Sequence, residues 1–141
     1  MNTVVIYYSY TGKTRMLAEA KAKELGSKLY EIKEKKSRSV LNAYILGSLA
    51  ARKQKASETV PISIDFADCE RILLAAPIWA GYPAPAMNSI INLLPEGKQV
   101  ELFMTSGSGN SSGSKQKTEA LILKKGCTVK GYHDIRASEI K

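Results

Sequence analysis

Thr3 to Tyr8 (TVVIYY) is an unbroken run of β-branched and aromatic residues, the pattern of a strand buried on both faces of a parallel sheet. Arg15 to Leu25 then places Leu17, Ala18, Ala22 and Leu25 on one helical face, and Gly26 follows as a stop. Lys28 to Lys33 (KLYEIK) is half polar, as an edge strand is. Val40 to Ala51 has Leu41, Tyr44, Ile45 and Leu49 at helical spacing, interrupted by Gly47. A second buried strand, Arg71 to Ala76 (RILLAA), is expected to end at Pro77. Ala86 to Leu94 puts Met87, Ile90, Ile91 and Leu94 on one face, after Pro83 and Pro85 and before Pro95. Val100 to Thr105 reads as a fourth strand, Lys115 to Lys125 as a helix stopped by Gly126, and Cys127 to Ile135 as a fifth strand. Strict alternation on that last strand puts Cys127, Val129 and Ile135 on one side, with Thr128, Lys130, Tyr132 and Asp134 on the other. The order βαβαβαβαβ implies an α/β domain, a doubly wound parallel sheet with helices on both faces.

At 141 residues and 44% hydrophobic, the chain suits one domain with a substantial core. No apolar run approaches the roughly 20 residues that cross a bilayer, and no basic stretch precedes an apolar one at the start. A cytoplasmic location is expected. Cys69 and Cys127 lack CxxC spacing and read as reduced core residues. With His133 as the single histidine, a histidine-built metal site is not expected.

The net charge of +8 is concentrated. Lys33 to Lys55 holds seven cations against one carboxylate, Glu34. Such a patch attracts nucleic acid, anionic lipid or an acidic protein, and it also fits a solvated helix end. No aromatic residues alternate with the cations, as a surface for stacking single strands would need.

In a sheet of this kind ligands bind at the carboxyl ends of the strands. Three segments fall there: the turn after the first strand, Pro77 to Pro85, and Ser106 to Ser114. The first contains Thr11-Gly12-Lys13-Thr14, the end of a triphosphate loop, but the glycine required five positions before Gly12 is replaced by Tyr7. What remains, Ser9-Tyr10-Thr11-Gly12-Lys13-Thr14, is a hydroxyl-rich turn running into a helix. Its free N–H groups suit a single terminal phosphate, and Ser9, Thr11 and Thr14 offer further donors. A plain helix cap by Thr11 or Thr14 accounts for fewer of these hydroxyls.

The pattern [ST]-x-T-G-x-T, met by Ser9, Thr11, Gly12 and Thr14, resembles the phosphate loop of the flavodoxin family. Ala76 to Pro85 (APIWAGYPAP) is similar to that family's isoalloxazine loop, and Thr105-Ser106-Gly107-Ser108-Gly109 to the loop along the polar edge of the flavin. The resemblance covers nearly the whole chain. It implies a five-stranded sheet in the order 2-1-3-4-5 and a bound FMN. The phosphate would lie on Ser9, Tyr10, Thr11, Gly12, Lys13 and Thr14. Pro77, Ile78, Trp79, Ala80, Gly81 and Tyr82 would hold the ring, with Ser106, Gly107, Ser108 and Gly109 along its polar edge. Trp79, the single tryptophan, is the flat aromatic partner a flavin needs, and packing against the helix near Pro85 is its other reading. Gly81 would let a peptide turn over as the flavin is reduced, or would serve as an ordinary turn glycine.

Gly109-Asn110-Ser111-Ser112-Gly113 also spells the nucleophile elbow of serine hydrolases, with only His133 as base. The glycine-loosened loop and the position of His133 within a strand disfavour it. The glycines of this loop miss dinucleotide spacing by one residue.

Two features depart from the family. The sequence runs only about six residues beyond the fifth strand, so a final helix is not expected, and one sheet face would be covered by the first helix alone. Self-association or a partner is expected there. The chain is also basic, whereas family carriers are typically acidic. The expected function is FMN-dependent electron transfer with a redox partner protein, an acidic one on charge grounds. An NAD(P)H-dependent quinone or flavin reductase of the same fold and a flavin-free basic interaction module are the alternatives.

Overall fold

The computed structural model describes residues 2–36 and 38–141, and the side chains of Val40 and Tyr44 lie outside that description. Five parallel strands form the sheet: β1 (Thr3–Tyr7), β2 (Lys28–Glu31), β3 (Arg71–Trp79), β5 (Gln99–Ser106) and β6 (Thr128–Arg136), in the order β2-β1-β3-β5-β6. β4 (Tyr82–Pro83) is a two-residue strand antiparallel to the end of β3. The five long strands therefore take the 2-1-3-4-5 order.

The larger core lies on one face. There Val4, Ile6, Ile72, Leu74, Leu102 and Met104 meet Met87, Ile90 and Ile91 of α4 (Pro85–Asn92) and Ile122 of α5 (Ser112–Lys124). The opposite face carries a smaller cluster, in which Val5, Tyr7, Leu73, Ala75 and Phe103 pack on Ala18 and Ala22 of α1 (Lys13–Leu25). Leu25, placed on the α1 core face by its spacing, is exposed at the end of the helix.

Four further expectations need correction. β3 continues through Pro77 to Trp79. A proline fits because β1 has already ended beside it: the last β1-side bond runs from the Tyr8 N–H to the Ala75 carbonyl, so no ladder N–H is required at 77. α5 starts at Ser112 rather than Lys115, absorbing part of the glycine-serine loop. Strict alternation on β6 fails because the register slips: Val100 faces Val129 but Glu101 faces Gly131. Lys130 is the extra residue of this bulge, and Tyr132 joins Val129 and Cys127 against the larger core.

The fourth correction concerns the helical stretch after β2. It comprises α2 (Val40–Asn42), a π-helical turn (Ala43–Gly47) and α3 (Ser48–Arg52). Leu41, Ile45 and Leu49, expected on its core face, are exposed, and Ala43, Gly47 and Ala51 are buried in their place. The Trp79 ring lies so close that a Cβ on Gly47 would stand 2.7 Å from it. Only small residues allow that approach, and the helix widens to π at this point.

Candidate functional site

The carboxyl ends of β1, β3 and β5 bring the three loops together. After β1 the chain reaches Gly12, whose φ of 102° is a left-handed value that a side chain would strain. The Ser9 hydroxyl accepts the Gly12 N–H at 3.1 Å and so shapes the turn. α1 has no side-chain cap, and its first helical bond runs from the Met16 N–H to the Gly12 carbonyl at 3.1 Å. The N–H groups of Lys13, Thr14 and Arg15 have no partner among the described residues. They make a positive, donor-rich helix start. Thr14 is buried, its hydroxyl 2.8 Å from that of Thr105 at the end of β5, so the first and third loops are joined beneath the site. Thr11 is exposed. The Lys13 ammonium turns away from the loop and donates to the Ile140 carbonyl at 3.1 Å.

Beyond Pro77 the chain forms a tight hairpin in which Trp79 pairs with Tyr82. Both central residues have positive φ, Ala80 at 52° and Gly81 at 87°, as a type I′ turn requires. The hairpin tip is exposed. Trp79 is half-buried, edge-on to Tyr8 (6.1 Å) and Tyr10 (5.7 Å), with the Arg38 guanidinium 5.7 Å from the ring. Its packing partner is thus the helix containing Gly47, which neither sequence reading named. Tyr82 takes the Lys117 ammonium of α5 on its hydroxyl at 3.1 Å.

Ser106 to Gly109 form a turn in which the Ser106 hydroxyl accepts the Gly109 N–H at 2.9 Å. Asp134 on β6 pins the end of this loop, taking the Ser111 N–H at 3.0 Å and its hydroxyl proton at 2.6 Å. With that proton committed, Ser111 accepts from Tyr132, 2.5 Å away. Burial raises the Tyr132 pKa above the ordinary phenol value. The hydrolase reading fails here: His133 stacks on Phe103, on the α1 side of the sheet, and bonds Glu101 at 2.7 Å.

In the sequence Arg38 and Glu34 stand out only as charge. Glu34 accepts from Arg38 at 3.1 Å and from the Tyr8 hydroxyl at 2.8 Å, while the Arg38 carbonyl accepts the Tyr10 hydroxyl at 2.8 Å. This pair ties the phosphate-type turn to Trp79. Burial, reinforced by the neighbouring Glu34 carboxylate, pushes the Tyr8 hydroxyl far above the usual phenol range, so it stays a donor. A cation four residues from a lone carboxylate, in a stretch rich in cations, gives little sequence signal for this role. Asp134, a carboxylate at the carboxyl end of a strand, was the more readable clue.

The backbone matches solved structures over nearly its whole length. A flavoprotein from Lactobacillus acidophilus NCFM, crystallised in complex with FMN, is 24% identical, with a TM-score of 0.80 over 97% of this chain and 93% of that one. The fold is flavodoxin-like. Oxidised flavodoxin 2 from Bacillus cereus is 14% identical, with a TM-score of 0.59 over 96% of this chain and 84% of that one. An NADH:FMN oxidoreductase in its apo form is 16% identical, with a TM-score of 0.57 over 98% of this chain and 77% of that one. No protein-family model matches the sequence, and no curated sequence matches it either. Among the described residues of this flavodoxin-like chain, no helix is long and apolar enough to cross a membrane, and no cluster of His, Cys, Asp and Glu suits a metal ion.

Proposed function

We propose that the protein binds FMN and carries electrons. The observation that supports this most directly is the convergence, at the ends of β1, β3 and β5, of an anion-ready helix start, an exposed aromatic-flanked hairpin and a polar turn. The donor set suits one phosphate: three N–H groups without a partner among the described residues, with the Ser9 hydroxyl proton beside them, and that of Thr14 when Thr105 donates in their pair. A triphosphate would need the wrapping glycine that Tyr7 replaces.

FMN, when bound, supplies the redox chemistry, and the protein supplies position and electrostatics. Gly12 and the first turn of α1 hold the phosphate. The hairpin backbone from Ile78 to Gly81 forms one wall for the ring. Trp79 stiffens that wall from behind, since one side of it is taken up by Gly47 and Arg38. Tyr82 flanks the wall, and the Ser106 to Gly109 turn offers N–H donors to the ring carbonyls. The flavoprotein crystallised with FMN and the flavodoxin, which share this fold, support the same reading.

Titrating flavin-stripped protein with FMN while following Trp79 fluorescence tests the proposal, with ATP as control. Saturable quenching by FMN alone is expected; an equal response to ATP, or none to FMN, contradicts it. Steady oxidation of NADH by the loaded protein with a quinone acceptor would replace the carrier role with that of a reductase.

A further inference from the structure

The helical stretch from Val40 to Arg52 turns its small residues inward and its large aliphatic ones outward. Leu41 is 68% exposed, Ile45 47%, Leu46 56% and Leu49 52%. An ordinary amphipathic helix does the reverse. The result is an apolar ridge, and a groove of about 600 Å³ lies on each side. Ile45, Leu49, Tyr10 and Trp79 line one groove with Arg52 at its edge; Leu46 lines the other with Lys35, Lys36 and Glu58. Lys35, Lys36, Arg52, Lys53 and Lys55 have no carboxylate partner among the described residues, whereas Arg38 is held by Glu34.

We propose that this ridge is a docking surface for an acidic electron-transfer protein, whose carboxylates meet the cations and whose apolar centre covers Leu41 and Leu46. An apolar centre within a charged rim is the anatomy of a protein interface, and opposite charge speeds encounter between the partners. A second copy of this chain would bring the same cations to the ridge and repel it. A membrane surface is a poorer match, because Trp79 clamps the helix to the sheet at Gly47 and leaves one short row of side chains to insert. The ridge adjoins Trp79 and the Ala80 turn, so a docked protein sits beside the proposed FMN site. The inference rests on the carrier reading.

The test uses FMN-loaded protein mixed with a photoreduced plant-type ferredoxin, an acidic iron–sulfur protein, in a stopped-flow instrument. One electron leaves the ferredoxin cluster, which is oxidised, and one enters FMN, which is reduced and draws a proton from water. The wild-type rate is expected to fall as salt rises. The double charge reversals Lys35→Glu/Lys36→Glu and Lys53→Glu/Lys55→Glu should each slow it at least tenfold, and Leu41→Ser/Leu46→Ser severalfold. A small neutral photoreductant should reduce all of them at the wild-type rate. Charge reversals that leave the ferredoxin rate unchanged overturn the proposal. So does binding to phosphatidylglycerol vesicles that Leu41→Ser/Leu46→Ser abolishes while the ferredoxin rate stays the same. If the protein retains no FMN, the carrier reading fails by itself, and calorimetry of ferredoxin with the flavin-free protein then decides the docking. Binding lost on charge reversal upholds the surface, and no binding overturns it.

Discussion

Ala80 carries a side chain at φ 52°, in a turn whose next residue is glycine at φ 87°. The left-handed conformation costs an L-residue roughly 1–2 kcal/mol, offset in part because alanine loses less chain entropy than glycine on folding. Ala80→Gly is therefore expected to raise stability by about 0.5–1 kcal/mol, read as a higher urea midpoint at constant slope. Thr14→Val acts in the other direction. It leaves the buried Thr105 hydroxyl without its partner, which costs about 1–3 kcal/mol. It should also weaken FMN binding more than Thr11→Ala does, since Thr11 is exposed. Glu101 supplies a pH dependence. Burial pushes its carboxyl up, but the bonds from Arg71 and His133 outweigh this, and its pKa lies below the usual value. A depressed carboxyl pKa stabilises the fold above the unfolded-state value and loses that contribution as pH falls through the folded one. Urea unfolding of the wild type should thus weaken below about pH 4 more steeply than that of Glu101→Gln.

Among the elements, those with regular hydrophobic periodicity were legible and those shaped by one neighbour were not. β1, β5 and α4 follow their apolar runs closely, because a continuous run or a 3.6-residue stripe leaves little choice of face. β6 lies where its apolar run places it, but its facing escaped because one extra residue, Lys130, inverts everything after it, and a bulge has no fixed composition. The 40–52 stretch escaped for a different reason. Its leucines sit at helical spacing, but the surface available to it is an indole ring, which admits Gly47 and excludes anything larger. The candidate site was legible in its loops, where Gly12, Trp79 and Ser106 stand in distinctive contexts, and illegible in its supports, Arg38, Glu34 and Lys117, which look like ordinary surface charges. Gly47→Ala tests the contact: the added methyl should cost about 1–3 kcal/mol of overpacking and shift Trp79 emission.

At the scale of the whole molecule the dominant quantities are the +8 charge and the unequal sheet faces. The face packed by α1 ends in charged side chains, with Arg71 bonded to Glu101, His133 stacked on Phe103 and Lys21 over the same ring. The positive potential favours an anionic reduced flavin, so the reduction potential of the FMN-loaded protein should fall as added salt screens it. Spectroelectrochemical titration in 20 and 500 mM salt, chosen as about 20 Å and 4 Å of screening length, reads that difference directly. The same charge bears on the first loop through Lys13, whose ammonium is tethered to Ile140, a contact spanning 127 positions. That tether makes affinity for an anion a matter of tail chemistry. Truncation after Glu139 would release that cation next to the helix start, and the truncated protein should grip inorganic phosphate more tightly than the untruncated one.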